Sequence, residues 1–287
     1  MTSRPKATMI GFSAIAMWSL LALLTIGSAP VPPFLLNALT FAIGGSIGLI
    51  WTARRGFGVL TKVPLKVYVF GTLGLYGYHA LYFTAFRWGP SAETGLIAYL
   101  WPLFIVLLSG LLPGETLRAR HVGGALIAFA GAALIVWSRS AGSGAPLPAL
   151  ALAFLCALTW SIYSVVSRRW GDVPTESVTV FCLATAGLSA ITHLAVEQTL
   201  WPVSPLGWLS VIGLGVWPVG LAFFTWDIGM KKGDIQILGV ASYAAPLLST
   251  LALVAAGLSP ARPILIVAAV LITAGAALAA WAPRKAR

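Results

Sequence analysis

The chain has 287 residues, of which 59% are hydrophobic and 9% charged, and its mean hydropathy is +0.93. A water-soluble domain carries roughly a quarter charged residues, so this composition excludes a single soluble core and points to a multi-span helical membrane protein. The net charge of +11 would suit nucleic acid in a soluble protein, but here it is scattered over short connections and forms no single basic patch.

Ten apolar runs of span length follow one another. The first, 8–27, holds Trp18 and ends at GSA (27–29), a weak signal-peptidase pattern. Its apolar length exceeds a signal h-region, so it is expected to stay as a span. APVPP (29–33) leads into the second run, 34–51. The third, 66–86, contains GYHALYFTAFRWG (77–89), which places Tyr78 and Tyr82 one helical turn apart with His79 beside them. The fourth, 91–112, has Tyr99, Trp101 and Pro102 near its centre, and the fifth, 122–138, is rich in Gly and Ala.

After GSGAP (142–146), the sixth run, 148–167, carries Trp160 and Tyr163. The seventh is 176–196; the eighth, 206–227, contains Trp217-Pro218; the ninth, 235–257, contains Tyr243 and Pro246. SPARP (259–263) precedes the tenth, 263–282.

Charge assigns the sides. With the N-terminus inside, the inner segments hold Arg4, Lys6, Arg54, Arg55, Lys62, Lys66, Arg118, Arg120, Arg168, Arg169, Lys231, Lys232, Arg284, Lys285 and Arg287, and the outer ones Arg87, Arg139 and Arg262. That asymmetry predicts cytoplasmic termini.

The chain also repeats. AGAALIVW (130–137) returns as AGAALAAW (274–281), and YLWP (99–102) as YAAP (243–246). WS (18–19) returns at 160–161, and FT (83–84) at 224–225. Matches in one order at nearly one offset divide a single transmembrane domain, 1–287, into repeats 1–141 and 142–287. Each repeat holds an odd number of spans, so the second starts on the opposite side of the membrane, as in secondary transporters with a midplane site between inverted repeats.

The buried chemistry is aromatic. Interfacial belts explain most tryptophans, but Trp18, Trp101, Trp160 and Trp217 lie deep in spans, as do Tyr78, Tyr82, Tyr99, Tyr163 and Tyr243. A hydroxyl in hydrocarbon needs a partner, and a wet cavity supplies one. Pro102, Pro218 and Pro246 remove backbone hydrogen bonds and are expected to bend their helices, freeing the carbonyls of Ala98, Leu214 and Ser242. His79 is the histidine deepest in a span, a functional candidate by position.

The seven acids sit at or near span ends, which disfavours organic cations held by a buried carboxylate. A neutral aromatic cavity suits a zwitterion with a large side chain, whose carboxylate meets His79 or hydroxyls and whose ammonium meets ring faces or freed carbonyls. Cys156 and Cys182 lie in apolar runs and read as small buried hydrophobes. There is no disulfide framework, metal spacing, cofactor motif or ATP-binding loop. An intramembrane enzyme is the competing class, from GLSA (187–190) with His193 nearby, but Ser189 lies inside a continuous run.

Two features carry a family resemblance: the YLWP-kinked fourth span, and GETLRARHVGGALIAFAGAAL (114–134), in which Glu115 leads into a span with Gly123, Gly124 and Gly131. They resemble the drug/metabolite transporter superfamily, in its ten-span EamA-type branch. The second half keeps Gly275 but has SPAR where the Glu would fall. GYHALYFTAF and the aromatic residues resemble the bacterial aromatic amino acid exporters within that branch. The resemblance implies a basket of spans 1–4 and 6–9 around a central cavity, with spans 5 and 10 peripheral. It implies export of aromatic and other neutral amino acids across the bacterial inner membrane; another small metabolite or a hydrophobic drug is the alternative substrate. The expected cavity lining is Tyr78, His79, Tyr82, Tyr99, Trp101, Trp160, Tyr163, Trp217 and Tyr243, with Pro102, Pro218 and Pro246 as bending points. The expected partners are an amino acid solute and membrane lipid, and a monomer suffices.

Overall fold

Helices lie over all ten apolar runs, but several are interrupted. The computed structural model describes residues 3–89, 91–137 and 146–281, and the described residues contain no strand. Arg139, Arg284, Lys285, Arg287, the 142–145 turn and the Glu93 side chain lie outside that description. The first run divides into α1 (Arg4–Trp18) and α2 (Leu21–Gly27). α3 (Pro33–Arg55), the short α4 (Gly58–Thr61) and α5 (Leu65–Trp88) follow. The fourth run divides into α6 (Ser91–Ala98) and α7 (Trp101–Ser109); α8 (Ala119–Trp137), α9 (Leu147–Arg169) and α10 (Ser177–Val196) are continuous. The eighth run is α11 (Pro205–Val216), a π-helical turn (Trp217–Leu221) and α12 (Ala222–Lys232). The ninth divides into α13 (Ile235–Ala241) and α14 (Ala244–Ala255), and α15 (Ile264–Ala280) ends the fold.

Local chemistry accounts for many boundaries. Proline opens α3, α9 and α11, where a missing N–H costs nothing and φ is already helical. Paired basic residues close α3, α9 and α12, complementing the carbonyl ends.

Among the described residues, seven helical stretches are long and apolar enough to cross a membrane, and Thr94–Ser109 and Ile264–Ala280 are shorter apolar helices. α5 falls outside those seven despite its 24 residues. Its tyrosines, histidine and glycines dilute its hydropathy, the same composition that marks it as a site element.

The helices pair across the two halves: α1 with α12, α5 with α9, α3 with α10, and α8 with α15. Exchanging the halves maps this scheme onto itself. The α8–α15 pair is close because its crossing residues are small. A Cβ on Gly131 would sit 2.9 Å from the Ala268 carbonyl oxygen, so the backbone approach needs glycine there.

Candidate functional site

The broken helices surround a cavity. α1 ends at Trp18 and α2 restarts at Leu21, while Tyr99–Leu100 and Ser242–Tyr243 interrupt the fourth and ninth runs. Pro102 and Pro246 sit in the first turns of the restarted helices, where proline is compatible with helix geometry. Pro218 lies in the π turn, whose wider winding leaves room for the ring. All three prolines therefore mark departures from regular α-helix. One carbonyl so freed is recaptured inside the protein, Ser242 O accepting from Ala245 N–H at 3.0 Å, and in the π turn Pro218 O accepts from the Trp18 indole N–H at 3.1 Å.

The cavity holds about 410 Å³, within the range of roughly 300–1,000 Å³ seen for small-molecule sites. Its floor is Trp18, Trp101 and Trp160, with Trp226 buried behind them; the four ring centroids are all 5.0–6.3 Å apart. Trp226 is fixed by an indole hydrogen bond to Ser164 Oγ at 3.1 Å. One wall is the face of α5 that carries Tyr78, His79, Tyr82, Phe83 and Phe86. Tyr78 stacks on Tyr82, and Tyr82 lies 4.3 Å from Phe86. An adjoining wall comes from α2 and α3, with Thr25, Asn37 and Thr40. Among the described residues, no Asp, Glu, Lys or Arg lines the cavity.

Of the nine residues expected to line the site, Tyr78, His79, Tyr82, Tyr99, Trp101 and Trp160 do so, together with Pro218 among the bending prolines. Tyr163, Trp217 and Tyr243 do not. The Tyr163 ring fills a notch on α5, where a Cβ on Gly74 would come within 2.6 Å of it, and it stacks against Phe70. Trp217 is 47% exposed on the outer surface, because the π turn directs Pro218 inward and Trp217 outward. Tyr243 is fully buried and accepts the Leu103 N–H at 3.0 Å, capping α7 from the other half. Pro102 and Pro246 are buried behind the lining.

Sequence reasoning missed Asn37, Thr25, Thr40 and Ser249 as lining residues. Asn37 was the detectable one, since it is an amide inside an apolar run; a threonine or serine there is too common to signal anything.

The two ends of the bundle differ. At the end that holds the N-terminus, Arg4 contacts Glu115 at 3.2 Å and Asp234 at 3.1 Å, and Arg168 pairs with Glu115. Arg168 also donates to the carbonyls of Met230 and Gly233. Just below the tryptophan floor, Asp227 pairs with Lys231 at 2.9 Å and accepts from Thr175. This end is closed, and the cavity lies between the tryptophan floor and the opposite end. There, Glu197 accepts the Phe34 and Leu35 N–H groups at the start of α3 and contacts His193 and Arg87.

Of the acids expected at span ends, Glu115, Glu176, Glu197 and Asp227 have buried side chains in ion pairs, whereas Asp234 is partly exposed and Asp172 is exposed. Ser189 accepts from the Asn37 amide at 2.7 Å, while both His193 ring nitrogens are engaged, with Glu197 and Thr199. Ser189 and His193 do not form a nucleophile–base pair. No grouping of three or more metal-ligating side chains occurs among the described residues.

Known proteins share this architecture. A solved crystal structure of a chain 53% identical in sequence matches with a TM-score of 0.93, covering 97% of each chain. The aromatic amino acid exporter YddG of Ancylobacter novellus is 53% identical over 99% of this chain and all of that protein. The Escherichia coli exporter of the same name is 27% identical over 97% of this chain and 98% of its own length. The EamA-like transporter family matches twice, over residues 6–137 and 147–281, on either side of the midpoint at which the sequence repeats. With a duplicated match spanning nearly the whole chain and an aromatic cavity enclosed by broken helices, this chain belongs to the EamA-like transporter family.

Proposed function

We propose that this protein is a secondary transporter that exports aromatic and other neutral amino acids across the bacterial inner membrane. The observation that carries the reading is a cavity of about 410 Å³ lined by tryptophan, tyrosine and histidine, with no Asp, Glu, Lys or Arg among its described lining residues. Flat aromatic walls reward a flat aromatic solute, and the missing charge suits a zwitterion of zero net charge. The relatives' printed names support the same substrate class.

Ten spans with both termini cytoplasmic fit the charge asymmetry and place the ion-paired end inside. The cavity then faces outward, and the exporter works by alternating access, with the five-span repeats rocking about the cavity. The pairing of helices across the halves supports that symmetry. A single domain made of two repeats, and no catalysed reaction, complete the reading.

The test is reconstitution in liposomes with labelled tryptophan and phenylalanine, with Tyr78→Ala and His79→Ala beside the parent. Saturable transport that both changes reduce at least about tenfold is expected, since each removes a buried polar contact to a bound solute. Well-folded protein that carries neither amino acid would exclude this substrate class.

A further inference from the structure

The polar groups of the cavity share one property that bears on how a zwitterion would be oriented. His79 Nδ1 lies 2.7 Å from the Leu75 carbonyl oxygen. A carbonyl only accepts, so Nδ1 carries the proton, and in the neutral ring Nε2 is an acceptor. No carboxylate among the described lining residues accompanies an imidazolium there. Asn37 shows the same pattern: its Nδ2 donates to Ser189 Oγ at 2.7 Å, which leaves Oδ1 as the end that accepts. The Thr40 hydroxyl donates to Leu36 O at 2.8 Å, and the Trp18 indole donates to Pro218 O. The Thr40 hydroxyl, the Trp18 indole and one amide N–H of Asn37 are thus spent on the protein, and His79 Nε2 and Asn37 Oδ1 are left as acceptors.

These groups share a neighbourhood. Phe41 of α3 meets the His79 ring at 5.0 Å, and Phe34 of α3 meets Phe83 of α5 at 5.7 Å. The two contacts bracket Asn37, so it lies at a height between His79 and Phe83. Around His79 stand the rings of Phe41, Tyr78, Phe83 and Phe223, all within 6.1 Å. Ring faces attract cations and repel anions.

We infer that the cavity recognises its solute by the ammonium group, which donates to His79 Nε2 and Asn37 Oδ1 within this ring of aromatic faces. The carboxylate is left to the hydroxyls of Tyr78 and Tyr82 on α5, which can donate. This reverses the expectation that His79 meets the carboxylate. The inference rests on the reading of the cavity as the amino acid site.

Two analogues of tryptophan separate the two ends. Tryptamine keeps the ammonium and lacks the carboxylate; indole-3-propionate is the converse. Each is tested as a competitor of labelled tryptophan transport by the full chain in liposomes, and as a stabiliser of the purified chain in thermal unfolding. Tryptamine is expected to act at about a tenfold lower concentration than indole-3-propionate, the size of one hydrogen bond to a charged group. His79→Leu should weaken tryptamine about tenfold and leave the acid unchanged, while His79→Gln, whose amide oxygen still accepts, recovers part of the loss. Asn37→Asp should strengthen tryptamine, with Ser189 turning to donate. Stronger action by indole-3-propionate, equal weakening of both analogues in His79→Leu, or stabilisation by neither, overturns the inference. A chain that carries no tryptophan yet is stabilised by tryptamine through His79 refutes the exporter reading and leaves this one standing.

Discussion

Asp227 and Lys231 are nearly inaccessible, one turn apart on α12, beneath the tryptophan floor. Burying two charges is tolerable here because each has further partners: Thr175 donates to Asp227, and Lys231 donates to Val173 O. Asp227→Asn leaves a buried ammonium without its counter-ion and should cost about 3 kcal/mol or more. The double change Asp227→Asn with Lys231→Met should recover much of that, because it removes the orphaned charge. Thermal unfolding in detergent measures both, and a double variant no better than the single one would refute the account. The sequence placed these residues near a span end but gave no sign of their pairing. Likewise, Tyr163 and Tyr243 look like Tyr78 in the sequence. Their difference lies in which helix face they occupy and what opposes it.

At the scale of elements, the breaks in the fourth and ninth runs hold each other. The α7 helix starts at Trp101, so its first N–H groups lack intrahelical partners. Tyr243, at the break between α13 and α14, accepts one of them. Tyr243→Phe leaves the Leu103 N–H buried and unpaired, which should cost about 1–3 kcal/mol. Hydrogen exchange of the Leu103 amide should accelerate by about tenfold or more, as local opening becomes easier. Unchanged exchange there would show that Tyr243 does not cap the helix.

The α5–α9 contact depends on a glycine. A Cβ on Gly74 meets the Tyr163 ring at 2.6–2.9 Å, and that ring is held by Phe70 and Trp160. Gly74→Ala should destabilise by about 1–3 kcal/mol through overpacking, and Tyr163→Leu in the same chain should relieve part of it. A Gly74→Ala chain with the parent's unfolding temperature would mean that the ring yields freely. Proline and the YxxP spacing made these breaks visible in the sequence. The π turn was not, because winding depends on what the neighbouring helices leave free.

For the whole molecule, closure of the ion-paired end is the feature most exposed to test. Glu115 joins Arg4 at the start of α1 to Arg168 at the end of α9, and so links the two halves. Glu115→Gln removes the shared carboxylate and leaves Arg4 with Asp234 alone. Amides of residues 230–236 should then exchange about fivefold faster, since their carbonyl contacts to Arg168 lose their anchor. If exchange there is unaffected, the closure of this end rests on packing and not on charge.

The apolar periodicity, turn residues and charge placement already determined an all-helical membrane chain with an internal repeat and an aromatic interior, because each of these is set by local composition. They also located six of the lining residues, since a wet cavity is one of the few places that satisfies a polar aromatic side chain within hydrocarbon; Tyr163, Trp217 and Tyr243 found others. Tertiary structure alone decided which tyrosines line the cavity, where Trp217 points, and which end is sealed. It also decided that Glu115, Glu176, Glu197 and Asp227 are buried in ion pairs, and that His79 and Asn37 keep acceptors free. Side-chain facing and donor use depend on neighbours from distant parts of the chain, and no local pattern encodes them.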